Sequence, residues 1–289
     1  MKLFGFAISL LVASATLVSA QVTVEVAFSQ EQFLAGETLS TTVRIKNLSG
    51  QTLHLGAEPD WLTFLIESDE GFIVLKKDDV PVLGEFDLGS SQVATKRVDL
   101  APHFAITKQG GYSATATVRI KDWQRQISSQ PTKFEIIDGA ELWSQLIGLP
   151  VPANTTNALP EVRKYMLEQA NYLRSELRLY LRVTDAAGER IFKVVPIGRM
   201  VSFGQPEAQI DRLSKLHVLY QNGARSFDYS VFDPNGDLVI RQSYFYNGSR
   251  PHLKADEEGG IQVEGGQRRP SSSDIPSANL TNDRFQAKP

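Results

Sequence analysis

The chain has 289 residues, of which 42% are hydrophobic and 22% charged, a composition typical of globular proteins rather than disordered or collagen-like ones. Its formal net charge of −3 provides no basic excess of the kind that indicates a nucleic-acid partner. It contains no cysteine, which excludes disulfides, zinc thiolate sites, thiol nucleophiles and lipid attachment through cysteine.

The first 20 residues have the pattern of a secretory signal peptide. Lys2 provides a positive charge, residues 3–12 are apolar, and the small residues 18–20 form a cleavage site before Gln21. An uncleaved membrane anchor is the alternative, because the uncharged run 3–20 is close to the shortest membrane-spanning length of about 17 residues. No later run is apolar enough to span a bilayer. We therefore predict an exported protein, periplasmic or extracellular, and the lack of disulfides favours a bacterial one.

Pattern and composition divide the rest of the chain into four segments. They are an immunoglobulin-like β-sandwich over residues 21–138, a connector over 139–157, a second β-rich domain over 158–266 and a disordered tail over 267–289. The predicted fold class is all-β, with two β-sandwich domains joined by a short helical or proline-containing connector.

Alternating apolar residues define the strands of the first segment. Val22, Val24, Val26 and Phe28 lie on one face of a half-buried first strand. Further strands are predicted over residues 38–46, 51–55, 61–66, 71–75, 92–100, 112–120 and 132–137. Gly50 can adopt a positive φ, so we expect the strands on either side of it to form a hairpin.

Residues 100–118, with the earlier run 44–47, resemble bacterial immunoglobulin-like domains, including BsuPI-type inhibitors and the N-terminal domains of deuterolysin-like metallopeptidases. The resemblance implies a sandwich fold. It also implies that Tyr112 occupies a position like a tyrosine corner, with its hydroxyl bonded to the backbone a few residues upstream. Residues 216–229 and 259–266 are similar to segments of exported bacterial two-domain proteins, and this likeness implies no particular activity.

The connector and the start of the second domain contain helical spacing. Leu142, Trp143 and Leu146 lie about one helical turn apart before Pro150, which predicts a short helix with Trp143 as a wedge between the domains. Residues 159–173 fit either a helix or a strand.

Beyond this point the second domain is predicted to consist of strands. Residues 177–183 with 190–195, and 226–232 with 238–246, are predicted to form hairpins, and 215–221 a further strand.

No motif for catalysis or cofactor binding is present. His54, His103, His217 and His252 are isolated, so the two-histidine zinc motif of metallopeptidases is lacking. No nucleophile elbow, phosphate-binding loop or dinucleotide fingerprint occurs. The acidic run 256–258 is interpreted as solvated and residues 233–237 as a turn, not a calcium loop. We predict no catalytic residue, no metal and no cofactor.

Two groups of residues are candidates for binding. His217, Arg225 and Arg241 come from neighbouring strands, with Tyr220 and Tyr229, but alternation places His217 on the face away from Tyr220. Exposed cross-strand pairs are therefore favoured over a polar pocket.

Tyr244 and Tyr246 form the second candidate group. They flank Phe245, and if Phe245 enters the core, the two tyrosines form an outward platform on which a carbohydrate could stack.

These observations favour a non-enzymatic binding or envelope-scaffolding protein with an unknown protein or polysaccharide ligand. One alternative is a proteinase inhibitor, implied by the BsuPI-type resemblance, with residues 76–84 as the exposed loop. Another is a hydrolase whose carboxylates come together only in three dimensions.

Overall fold

The computed structural model describes residues 22–149 and 161–276. The predicted signal peptide, the proline-containing part of the connector and the last 13 residues of the predicted tail lie outside these ranges. Within them the protein is built from β-strands, with short 3-10 turns at Ala101–His103 and Lys121–Trp123, so the predicted all-β class is confirmed. In the described part of the chain no helix has the length and apolar character needed to cross a membrane.

The first domain contains ten strands. They are β1 (Val22–Phe28), β2 (Gln32–Leu34), β3 (Ser40–Asn47), β4 (Leu53–Leu55), β5 (Leu62–Ser68), β6 (Phe86–Leu88), β7 (Val93–Asp99), β8 (Gly110–Ile120), β9 (Arg125–Ser128) and β10 (Thr132–Ile137). One sheet has the order β1-β3-β7, and a second has the order β2-β10-β8-β5 with β9 beside β8. A two-stranded sheet of β4 and β6 completes the domain.

Alternation along these strands builds the core of the first domain. Val22, Val24 and Val26 of β1 are buried while the residues between them are not. Because side chains of one strand point alternately to the two faces of a sheet, β1, β3, β5 and β8 each contribute one apolar row. These rows meet in a single cluster between the sheets that includes Ile45, Phe64, Ala116 and Phe134.

The predicted hairpin around Gly50 is wrong. Gly50 has the expected positive φ of 79°, but β4 pairs with β6, and β3 lies between β1 and β7. Buried Asn47 explains the crossover, because its Nδ2 donates to Leu88 O (2.8 Å) and Gln51 O (2.7 Å) and so ties the turn to β6. Residues 71–75 likewise make an isolated bridge from Ile73 to Glu67 rather than a strand.

The predicted role of Tyr112 is confirmed. Its hydroxyl donates to Lys108 O at 2.8 Å, four residues upstream, and its ring stacks on Phe134 with centroids 5.5 Å apart. The tyrosine thus fixes the loop before β8 to the core.

The second domain contains eleven strands. They are β11 (Ala140–Gly148), β12 (Val162–Tyr172), β13 (Glu176–Asp185), β14 (Ile191–Arg199), β15 (Glu207–Ile210), β16 (Leu216–Gln221), β17 (Ser226–Phe232), β18 (Leu238–Phe245), β19 (His252–Ala255), β20 (Ile261–Glu264) and β21 (Gln267–Arg268). The inner sheet has the order β11-β12-β13-β14, and the outer sheet has the order β15-β16-β17-β18-β21. The two predicted hairpins, β13–β14 and β17–β18, are confirmed.

The helix predicted in the connector is wrong, because residues 140–148 form β11. This strand pairs with β12 from Ala140 to Gly148, with a register shift between Glu141 and Trp143. Hydrogen bonds between β11 and β12 satisfy the backbone N–H and C=O groups that a helix would have paired internally. The segment that fitted either a helix or a strand is thus a strand, β12. Trp143 packs against the core of the second domain rather than acting as a wedge between domains.

The start of the predicted tail is also part of the fold. Residues 267–268 form β21 beside β18, and Ile275 exchanges backbone hydrogen bonds with Arg241 (2.9 and 3.0 Å). Asp274 is buried, and its Oδ2 accepts a hydrogen bond from Arg268 (3.2 Å). The polar composition of this segment led to the prediction of disorder. In the structure its polar groups are satisfied by hydrogen bonds to β18 and to each other.

The two sheets of the second domain enclose its core. Tyr165 of the inner sheet is fully buried, and its hydroxyl lies 2.9 Å from Ser214 O and 3.0 Å from Asp233 O, in two turns of the outer sheet. The other face of the outer sheet is covered by the β19–β20 hairpin, where Leu253 packs against Leu219 and Phe227 in a second cluster.

The first domain docks on the free face of the inner sheet through residues 30–37. Leu34 packs against Tyr180 and Val194 in a separate apolar cluster. Arg182 Nε contacts both oxygens of Glu168 at 3.0 Å, and its Nη1 donates to Ala35 O at 2.9 Å. Burial, with Glu37 nearby, raises the pKa of Tyr180 to about 12. The inner sheet is therefore covered on both faces.

Gly36 lies close to Ile191 in this junction, and its replacement tests the docking. It has a φ of +85°, and a Cβ there would lie 3.0 Å from Ile191 Cδ1, whereas a Cβ at Gly50 would meet nothing within 4 Å. Both Gly→Ala changes cost about 1 kcal/mol for the positive φ, and Gly36→Ala adds displacement of the exposed Ile191 side chain, at about 1 kcal/mol, the low end of overpacking costs. Urea denaturation should show a lower midpoint for Gly36→Ala than for the Gly50→Ala control. Equal midpoints would contradict close docking.

Candidate functional site

A cavity of about 730 Å³ lies between the domains and contains none of the predicted binding residues. Three of its six charged side chains, Glu37, Asp99 and Lys193, have polar partners within the protein. The other three, Lys77, Glu189 and Arg190, have no ion pair among the described residues, so this cavity presents charges of both signs.

A smaller cavity, of about 400 Å³, brings predicted residues together at one end of the outer sheet. It lies where the β16–β17 turn meets the chain leaving β18. The residues that line it are Gln221, Ala224, Arg225, Phe227, Tyr246 and Arg250, and we call this site the arginine–tyrosine pocket.

Backbone pairing holds Arg225 beside Tyr246. Tyr246 N donates to Arg225 O at 2.8 Å, and Arg225 Nη2 donates to Tyr246 O at 3.2 Å. The guanidinium carbon of Arg225 lies 5.4 Å from the ring centroids of both Phe245 and Tyr246, within cation–π range. Gln221 Nε2 fixes the turn by donating to Gly223 O and Ala224 O at 2.8 and 3.1 Å.

Phe227 forms the floor of the arginine–tyrosine pocket and Arg250 its far wall. Phe227 belongs to the cluster under the β19–β20 hairpin, and the guanidinium carbon of Arg250 lies 5.4 Å from its ring centroid. The loop that carries Arg250 is held by Gly265, whose φ is +77° and where a Cβ would lie only 2.7 Å from Arg250 O. Any side chain at Gly265 would push this wall away.

The arginine–tyrosine pocket is lined by arginine, aromatic, glutamine and alanine side chains. Among the described residues no carboxylate or histidine lines it, so these residues provide no general acid or base near neutral pH. Tyr246 is 39% exposed, which leaves its ring accessible to a ligand. Across residues 22–149 and 161–276, no three His, Asp or Glu side chains lie close enough together to hold a metal ion.

Tyr244 is not part of the exposed platform predicted for it. It pairs in register with Phe227, packs against the same cluster, and lies edge-on to Tyr229 with centroids 6.4 Å apart. Its hydroxyl donates to Gln242 Oε1 at 3.0 Å, and burial raises its pKa. The β19–β20 hairpin covers this part of the sheet, so of the two tyrosines only Tyr246 lines the pocket.

His217 lies inside the protein, on the face away from Tyr220 as predicted. Its Nδ1 and the Tyr229 hydroxyl are 2.7 Å apart, and its Nε2 and Asp211 Oδ2 are 3.3 Å apart. Burial lowers the pKa of His217 despite the opposing effect of Asp211. This histidine therefore links a turn to the outer sheet and does not contact the arginine–tyrosine pocket.

Arg241 lies on the opposite face of the outer sheet from Phe227. Its neighbour across β17 is Ser230, and that face also carries Asp228, whose carboxylate accepts from Ser243 Oγ (2.9 Å) and Asn222 Nδ2 (2.6 Å). The structure thus brings together two of the five predicted binding residues, Arg225 and Tyr246, and separates Tyr244, His217 and Arg241 from them.

Sequence reasoning missed Phe227, Arg250 and Gln221. The sequence did contain a signal for Phe227. Phe227 lies two residues after Arg225, at the start of a predicted strand, and therefore at the same end of the sheet. Arg250 is in a loop without periodicity, and only the paired glycines at 265 and 266 indicated a close approach of two backbones.

Comparison with known proteins gives no family for this chain. No family model and no curated protein matches it. Among solved structures, the sporulation control protein Spo0M from Bacillus subtilis is similar over 75% of this chain and 79% of its own, with 8% sequence identity and a TM-score of 0.31. A likeness at this level carries no argument about function.

The buried histidine predicts a pH dependence of stability. Because the folded-state pKa of His217 is lowered, the unfolded chain binds a proton first as the pH falls, so the free energy of unfolding decreases below pH 6.5. We expect His217→Gln to remove part of this decrease, measured as urea midpoints at pH 7.5 and 5.5. The exposed His252→Gln variant is the control. An unchanged slope in His217→Gln would contradict the assignment.

Proposed function

We propose that this chain is an exported, non-enzymatic binding protein that holds a polysaccharide at the arginine–tyrosine pocket. The observation that carries the proposal is the accessible ring of Tyr246 beside a cavity of about 400 Å³ at the end of the outer sheet. Export is supported by the signal-peptide pattern of residues 1–20.

A sugar ring matches the shape and polarity of this pocket. It has apolar C–H faces and a rim of hydroxyl groups, while Tyr246 presents an apolar face and Phe227 an apolar floor. The guanidinium groups of Arg225 and Arg250 supply hydrogen-bond donors at the pocket walls for the hydroxyl rim. The pocket is open rather than enclosed, which suits an internal segment of a long polymer.

Rigid support favours binding without a conformational change. Arg225 and Tyr246 are joined by one backbone hydrogen bond and one hydrogen bond from the Arg225 guanidinium to Tyr246 O, and Phe227 is only 4% exposed within its cluster. Groups that are already ordered lose little conformational entropy when a ligand binds. The absence of a carboxylate from the pocket lining leaves the hydrolase interpretation without support at this site.

Replacement of Tyr246 tests the proposal. Tyr246→Ala removes the accessible ring and should weaken retention on a polysaccharide column that retains the wild type, by about fivefold or more in dissociation constant. Tyr244→Phe is the matched control, because it removes only the hydroxyl bonded to Gln242 and keeps the packed ring. Equal retention of Tyr246→Ala and wild type on every matrix would overturn the proposal.

Proteinase inhibition is a second candidate, favoured by the geometry of residues 76–84. Leu83 is 81% exposed, while Val80 and Val82 on either side of Pro81 are buried. Trp61 Nε1 donates to Val82 O at 2.8 Å and so fixes the loop next to the exposed leucine. A rigid loop with one protruding apolar side chain fits a proteinase with a hydrophobic specificity pocket, such as chymotrypsin.

Titration of chymotrypsin with the purified protein tests this second candidate. Stoichiometric loss of proteinase activity is expected, and Leu83→Asp should raise the inhibition constant about tenfold or more because the buried apolar contact is lost. Leu48→Asp, at another exposed leucine, is the control. Failure of a molar excess to inhibit chymotrypsin and subtilisin would exclude this role for the loop.

A further inference from the structure

The two arginines of the arginine–tyrosine pocket have no acidic partner among the described residues. Arg225 makes one side-chain hydrogen bond, to Tyr246 O, and otherwise contacts only aromatic rings. The guanidinium group of Arg250 contacts the ring of Phe227. Both groups therefore keep most of their N–H donors and their full charge directed at solvent or ligand.

Two acidic side chains of this part of the domain, Glu264 and Asp228, have partners other than the two arginines. Glu264, on the hairpin that follows Arg250, lies 2.8 Å from Lys254 Nζ and 3.5 Å from His252 Nε2. The hydrogen bond from Lys254 lowers the pKa of Glu264, so it is an ionised carboxylate already paired. Asp228 lies on the other face of the outer sheet, bonded to Asn222 and Ser243.

Guanidinium groups have a specific ligand preference. Their planar fork of N–H donors matches carboxylate and sulfate or phosphate oxygens, and charge-assisted hydrogen bonds are about twice as strong as neutral ones. A neutral sugar would leave both charges without a counterion in the bound state. An acidic sugar would place its anionic group on a guanidinium while its ring lies on Tyr246.

We infer that the pocket is selective for an anionic polysaccharide, in which an acidic group on the sugar contacts Arg225 or Arg250 while the ring stacks on Tyr246. This inference rests on the proposed function and adds the charge of the ligand. The attraction for an anion is local to the pocket, because the whole chain has a formal net charge of −3 and would repel a polyanion at long range.

Two polymers that differ only in charge provide the test. Polygalacturonate carries a carboxylate on each sugar, and its methyl ester has the same backbone without the charge. Isothermal titration of the full exported protein should give a dissociation constant about tenfold lower for the acid than for the ester. Because exposed charge pairs are screened over ~10 Å at 0.1 M salt, this preference should shrink as salt is added.

Variants assign the preference to the pocket. The double variant Arg225→Gln with Arg250→Gln keeps the aliphatic stems and should bind acid and ester equally. The control double variant Arg44→Gln with Arg97→Gln removes the same two charges from exposed positions on β3 and β7 of the first domain and should keep the wild-type preference. Far-UV circular dichroism and urea midpoints establish that each variant is folded.

The source of the anionic group is resolved with a second polymer set. Neutral dextran, carboxymethyl dextran and dextran sulfate share one backbone. Tightest binding of carboxymethyl dextran would show that the pocket prefers a carboxylate, and tightest binding of dextran sulfate would show that it prefers a sulfate ester. Either result supports the inference.

The outcomes separate the two proposals. Equal binding of acid and ester by the wild type, lost in Tyr246→Ala, would overturn the inference and leave the polysaccharide proposal standing. A preference for the acid that survives in the double variant would place the anion elsewhere and also overturn it. Binding to no polymer in either set would overturn both.

Discussion

Burial of both faces of the inner sheet is the constraint on which the rest of the molecule depends. One face packs on the outer sheet around Tyr165, and the other receives Leu34 of the first domain. A sheet covered on both sides needs apolar residues on both sides, and β13 accordingly has three consecutive buried residues, Tyr180 among them. Without disulfides, this double burial is what joins the two domains.

The position of the arginine–tyrosine pocket follows from this arrangement. The outer sheet is fixed from below by the inner sheet and from above by the β19–β20 hairpin, so its strands end in a rigid edge. Phe227 belongs to the upper cluster, and Arg225 and Tyr246 lie immediately beyond the last paired residues of β17 and β18. The first domain is distant from this edge in sequence. It nevertheless covers the face of the inner sheet that points away from the outer sheet, and the inner sheet supports this edge.

Alternation in the sequence predicted most strands, but it predicted correct partners only for the two hairpins β13–β14 and β17–β18. Val22 to Val26 and Leu177 to Val183 each form the strand that period-two spacing indicates, because half of every such strand faces a core. Pairing depends on contacts distant in sequence, such as Asn47 with Leu88, and no local pattern contains them. The spacing of Leu142 and Leu146 fits a helix, and only the presence of β12 as a partner makes β11 a strand.

The candidate site was also only partly predictable, because contacts distant in sequence bring some of its residues together. The sequence singled out Tyr246 by its alternation with Phe245, and Arg225 as a residue of neighbouring strands, but it placed them in different candidate groups. Arg250 joins them because Gly265 allows two backbones to approach closely, a contact between segments 15 residues apart in the chain. Tyr244 was misassigned because period two gives the face of a strand, not whether another hairpin covers that face.

Charge pairing elsewhere in the protein gives the pocket its significance. Three half-buried arginines of the second domain have carboxylate partners: Arg163 pairs with Glu161 (2.8 Å), Arg178 with Glu176 (2.6 Å) and Arg182 with Glu168 (3.0 Å). Such pairing offsets the loss of hydration around each guanidinium. Arg225 and Arg250 instead lie against aromatic rings at the rim of one cavity, with no carboxylate lining it. An anion that entered this cavity would meet two guanidinium groups that have no ion pair with a described carboxylate, which is the physical basis for the proposed selectivity.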